Sequence, residues 1–157
     1  MRSTVLFVLS LLLASLAAPA AAQTPDAIRQ QAAREKGPLL DTLRDLVNIE
    51  SGSSDYEGVT RIGQLIGQRL RALGGEVEFV PSAPNMPRFE NTPPKIADSV
   101  VARFKGRGTA RILLLAHMDT VYERGMLANQ PFRVEGDKAY GLGIADDKHG
   151  VAVILHT

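Results

Sequence analysis

The 157-residue sequence is long enough for one compact domain at most, and its 45% apolar and 22% charged residues are those of a globular chain. A net charge of +1, with Arg88, Lys95 and Arg111 scattered rather than clustered, argues against a nucleic-acid partner, which needs a basic surface. The absence of cysteine excludes a disulfide scaffold, a thiolate zinc site, a thiol nucleophile and a cysteine-linked lipid anchor, and three histidines leave few imidazole ligands.

Residues 1–22 stand apart in composition. Arg2 forms a short positive start and Val5–Ala18 an apolar run. Pro19 stops any helix, and Ala20-Ala21-Ala22 before Gln23 fits a signal-peptidase site. At about 14 residues the run is short of the ~20 that span a bilayer. The expectation is a cleaved leader, an exported periplasmic or secreted protein without stable membrane insertion, and one domain unit over residues 23–157.

Gln23–Lys36 is polar and Ala-rich, and reads as a helix or a frayed extension, the least ordered part after the leader. Pro38 suits the first turn of a helix carrying Leu39, Leu40, Leu43, Leu46, Val47 and Ile49, which ends in the loop Ser51–Ser54. A second helix is predicted from about Tyr56 to Leu73, with Val59, Ile62, Leu65, Ile66, Leu70 and Leu73 as its stripe and Gly74-Gly75 as its stop. Glu76–Val80 alternates as a strand. The proline-rich stretch 81–97 is a loop. Asp98–Phe104 reads as a second strand and Lys105–Gly108 as a turn with hairpin chemistry. Arg111–Ala116, apolar on every face, predicts a strand buried on both sides. Glu135-Gly136-Asp137 predicts a hairpin between Phe132–Val134 and Lys138–Tyr140, and helix resumes at Asp147. The fold class implied is a layered α/β domain.

Two constellations carry chemistry. His117-Met118-Asp119 follows the predicted buried strand, and side chains two apart on a strand share one side. His117 and Asp119 can thus face one site at the carboxyl edge of a sheet, with the carboxylate holding one ring nitrogen while the other binds metal. The alternative is a histidine hydrogen-bonded at a strand end. The second is Gly141-Leu142-Gly143-Ile144-Ala145-Asp146-Asp147-Lys148. Two acids at a helix start fit either ordinary capping or a metal carboxylate on a constrained loop. A dinucleotide fingerprint fails because Asp146 stands where the third glycine belongs and two acids would repel a pyrophosphate. A Walker loop fails for lack of Gly-Lys-Ser/Thr.

Taken together, Leu113–Asp119 and "PFRVEGDKAYGLGIADDK" from Pro131 to Lys148 resemble the di-zinc exopeptidases of the aminoacylase and glutamate carboxypeptidase superfamily. The particular likeness is to bacterial folate-cleaving glutamate carboxypeptidases. Leu43–Ser53 also resembles that family's first helix and loop. The resemblance implies an α/β fold with a mixed sheet between helices, of which this chain is the N-terminal part. It implies two zinc ions as cofactors, with His117 as a ligand to one, Asp146 bridging both, and Asp119 as the catalytic acid that orients the histidine and supports the general base. It implies a cis peptide between Asp146 and Asp147. It also implies a small peptide or folate-like amide as substrate, a C-terminal amino acid such as glutamate as product, and a homodimer.

This sequence departs from the family at His149, where the family has Gly; a tolerated surface substitution is the simpler reading. The family's paired Glu, third carboxylate ligand and final His lie beyond the matching positions, and His156 reads as an ordinary helix residue. Catalytic zinc needs about three protein ligands and a water. The expectation is therefore that this chain alone binds zinc weakly and does not hydrolyse amides. Val151–Thr157 has no stop signal, so the chain is expected to break off inside a helix. A noncatalytic remnant and another amidohydrolase, an aminoacylase or dipeptidase, are the alternatives. Tyr122 and Arg124 read as a solvated loop near the site.

Overall fold

The computed structural model describes residues 24–157, so the leader assigned to residues 1–22 lies outside the described residues. Among the described residues three α-helices and four strands alternate with loops and two short helical turns: α1 (Pro25–Val47), α2 (Tyr56–Ala72), β1 (Glu76–Val80), β2 (Ser99–Arg103), β3 (Arg133–Glu135), β4 (Lys138–Tyr140) and α3 (His149–Leu155). The α/β class is as expected. The sheets formed by the described residues are two antiparallel pairs, β1–β2 and β3–β4, rather than one mixed sheet.

The first helix begins earlier than Pro38. Thr24 caps it, its hydroxyl accepting from the Ala27 N–H at 3.3 Å, Pro25 occupies the first turn and Asp26 complements the dipole. The Ala, Gln, Arg and Glu residues between are strong helix formers, and Pro38 lies inside the continuous helix. The first turns are exposed; from Thr42 onward the helix enters the core. His156 is more than an ordinary helix residue. Its ring bridges Glu35 Oε2 and Thr42 Oγ1, each at 2.9 Å, tying the end of α3 to α1.

The second helix follows its sequence signals. Asp55 caps it, accepting from the Gly58 N–H at 2.9 Å, and Val59, Ile62, Ile66 and Leu70 form its buried stripe. Gly74, at φ +90°, ends it with the Gly75 N–H on Leu70 O and the Gly74 N–H on Arg71 O. Leu73, expected on the stripe, is the C-cap and is 55% exposed. The core joins Leu43, Leu46 and Val47 of α1 to Ile62, Ile66 and Leu70 of α2 and to Val151, Ala152 and Leu155 of α3. Leu46 and Ile62 are fully buried, each stabilising the fold by roughly 1.5–3 kcal/mol. Sheet β1–β2 packs on α2, where Phe79 and Val77 lie against Gly67.

The strand expected at Arg111–Ala116 is not formed. Ile112, Leu113 and Leu115 are 85%, 84% and 86% exposed, and no described residue pairs with this segment. A strand apolar on both faces needs a neighbour on each edge and a layer over each face. The described residues supply neither, and Lys105–Gly108 is a loop rather than a hairpin turn. The chain is gripped again from Ala116 and Met118, which pack against the core, to Thr120, which forms a parallel bridge with Gly52.

Candidate active site

Three segments converge at one end of the helical core: the α1–α2 loop, residues 117–128, and the Gly141–Lys148 turn. Gly52 and Thr120 form the bridge between the first two. The Thr120 N–H donates to Ser51 O and the Ser53 N–H to Thr120 O, both at 2.8 Å. Ser51, 1% exposed, donates from Oγ to Met118 O at 2.9 Å. A Cβ on Gly52 would stand 2.3 Å from Tyr122 O, so only glycine admits this approach. Gly143 serves the third segment. It takes φ +73°, and a Cβ there would meet Thr120 Cγ2 at 2.4 Å. A cis peptide joins Asp146 to Asp147.

This framework brings His117, Asp119 and Asp146 together. His117 Nε2 lies 2.8 Å from Asp146 Oδ1, while Nδ1 faces the Asp119 carbonyl at 3.0 Å and its Oδ1 at 3.3 Å. The ring is about half exposed and Asp146 mostly so. The Asp146 carboxylate raises the His117 pKa above its ordinary value, with burial opposing and Asp119 assisting. Asp119 is held from its other side by Ser53, whose Oγ lies 2.7 Å from Oδ2. Among the described residues no group of three or more His, Asp or Glu side chains is placed to hold a metal.

Asp147 Oδ1 accepts from the Gly150 N–H in the first turn of α3 at 3.2 Å. His149 Nδ1 lies 2.9 Å from Ile144 O and 3.4 Å from Asp147 Oδ1, with its side chain about half exposed. Arg124 is an exposed loop residue, as read, but is pinned as a fork on Asp55, with Nε 2.9 Å from Oδ2, and also reaches Glu57.

Sequence reasoning missed three supports. Lys148 is 1% exposed and donates from Nζ to Ile49 O at 2.8 Å; burial lowers its pKa to about 8, partly offset by Glu50. Glu50 Oε1 accepts from the Leu127 and Gly125 N–H groups at 2.9 and 2.7 Å, and these bonds hold its pKa below the usual carboxylate range. Ser53 is the third. Each partner lies more than 60 residues away in sequence, and no local pattern signals such a pairing.

The site lies within a segment with known relatives. Residues 113–157 match the family described as Peptidase family M20/M25/M40. Over 145 residues, 92% of this chain and 33% of the relative, the chain is 48% identical to Carboxypeptidase G2 of Pseudomonas sp. (strain RS-16). It is 46% identical over 121 residues, 77% of this chain and 28% of the relative, to a Mycobacterium tuberculosis protein named DapE. It is 34% identical over 123 residues, 78% of this chain and 30% of the relative, to a succinyl-diaminopimelate desuccinylase of Corynebacterium glutamicum. The chain thus matches the M20 peptidase family over residues 113–157 and resembles these relatives across most of its length. It spans about a third of the length of the curated relatives it matches.

Proposed function

We propose that the protein carrying this chain is a zinc-dependent exopeptidase that hydrolyses a C-terminal amide, releasing glutamate from a small peptide or folate-like substrate. The observation that carries the reading is the convergence of His117 Nε2 and Asp146 Oδ1, 2.8 Å apart, with Asp119 behind the imidazole. An imidazole nitrogen and a carboxylate oxygen are donors that zinc accepts, so the residues fit the metal. They supply at most two of the about three protein ligands per ion that catalysis needs, and the rest of the protein contributes the others and the general base.

When bound, zinc polarises the scissile carbonyl and makes water acidic enough to act as nucleophile near neutral pH. The work of this chain is positional. Asp119 accepts from Nδ1–H of His117, which fixes the ring and leaves the Nε2 lone pair for the metal. Asp146 stands at the open side of the ring, where its two oxygens suit a bridging role. Asp147 anchors the turn on α3. The chain by itself holds zinc weakly and is inactive.

A desuccinylase is the second reading, supported by the likeness to the Corynebacterium glutamicum relative. Residues 1–22 act as an export leader that delivers the protein to the periplasm or outside the cell; no described helix is long and apolar enough to cross a membrane. The whole protein is a homodimer. Incubating the whole protein and zinc with a folate-type glutamyl amide and with an N-succinyl amine distinguishes the readings. Release of glutamate supports the first and release of succinate the second. With neither product, and no zinc retained, the noncatalytic alternative would stand instead.

A further inference from the structure

We propose that Ser53 is a positioning residue for Asp119, and that the strap Ser51–Ser53 exists to deliver its hydroxyl to that carboxylate. The inference rests on the zinc site proposed above.

Two acceptors lie within reach of Ser53 Oγ: Asp119 Oδ2 at 2.7 Å and Thr120 O at 3.1 Å. A serine hydroxyl has one proton to donate. The carboxylate is nearer and charged, and hydrogen bonds to ionised acceptors are the shorter and stronger kind. Thr120 O is already served by the Ser53 N–H at 2.8 Å. The proton therefore belongs to Asp119. With Oδ2 fixed by Ser53, Oδ1 lies 3.3 Å from His117 Nδ1, beside the Asp119 carbonyl that faces the same nitrogen at 3.0 Å. An exposed aspartate without this bond is free to rotate about its carboxyl torsion, which is broad and two-fold.

The backbone is arranged for the same end. Ser53 lies just past Gly52, where a Cβ would collide with Tyr122 O at 2.3 Å. Ser51 is buried and bonded to Met118 O, and the pair of 2.8 Å bonds to Thr120 sets the register. Partners that orient a metal-ligating histidine are usually a single step removed; here Ser53 stands one step further out and acts through Asp119.

Zinc affinity of the whole protein, measured by competition with a chromophoric chelator, tests this without relying on turnover. Ser53→Ala is expected to weaken zinc binding about tenfold, the scale of changes in a ligand's supporting shell. Ser53→Thr keeps the hydroxyl and is expected to restore affinity to within about threefold of wild type. In an Asp119→Ala background, Ser53→Ala is expected to add little, because the two act as one unit. Wild-type affinity in Ser53→Ala, or an equal loss with and without Asp119, would overturn the inference while leaving the zinc site standing. A wild-type protein that retained no zinc would overturn the site itself, and this inference with it.

Discussion

Ile62 and Ile112 are the same residue type in two parts of one chain, and their environments are opposite. Ile62 lies on α2 in the core it shares with α1 and α3 and is fully buried; Ile112 lies on an extended segment and is 85% exposed. A helix hydrogen-bonds its own backbone, so α1, α2 and α3 need only bury a stripe on one another. A central strand has no such autonomy. Its N–H and C=O groups and both its faces depend on neighbours from elsewhere in the chain. The site residues begin at His117, just where this unsupported segment ends, and they are held by the helical region through the strap at Ser51–Ser53 rather than by a sheet.

The widest contrast is expected from truncating one residue in each region of the 157-residue chain. Leu46→Ala, at a fully buried position, should cost roughly 2–5 kcal/mol of unfolding free energy in urea. Leu113→Ala, at a position 84% exposed, should stay within about 0.5 kcal/mol. Comparable losses at the two positions would mean that the segment 111–116 is packed in solution, and the comparison would break.

The junction between the regions comes next. Gly143→Ala places a side chain at φ +73° and a Cβ 2.4 Å from Thr120 Cγ2. Backbone strain of this kind costs about 1–3 kcal/mol, so a melting temperature below that of wild type is expected. An unchanged one would show that the turn does not press on Thr120.

The smallest expected effect is electrostatic. Glu50 and Asp55 tie the 121–128 loop to the helical region, and both have pKa values lowered on folding, Glu50 by the Leu127 and Gly125 N–H groups and Asp55 chiefly by Arg124. Lowered carboxylate values stabilise the fold above the unfolded-state pKa of about 4, and that contribution is lost as pH falls through the folded values. Acidification from about pH 5 toward pH 3 should therefore loosen the loop, seen as faster amide exchange at Gly125 and Leu127. Arg124→Ala should move the onset to higher pH, because the depression of Asp55 would shrink. An onset that did not move would remove Arg124 from the latch.

The same contrast explains what could be read from the sequence. Helix α2 and its caps, strands β1 and β2, and the 133–140 hairpin follow from local periodicity and turn chemistry. The early start of α1 is also written locally, in Thr24-Pro25-Asp26, but Pro38 offers a second plausible start further along. The segment 111–116 has the composition of a buried strand, yet composition cannot provide the neighbours that such a strand requires. At the site, the H-x-D triplet and the acidic pair were legible as chemistry-bearing residue types. Ser53, Glu50 and Lys148 were not, because each is defined by a partner distant in sequence.

Zinc content of the whole protein and of its Asp146→Ala and His117→Ala variants, measured after dialysis alongside amide hydrolysis, tests the central claim most directly. If Asp146 and His117 belong to one metal site, Asp146→Ala loses the bound zinc and the activity together, and His117→Ala loses chiefly one of two ions. Wild-type zinc content in Asp146→Ala would contradict the account.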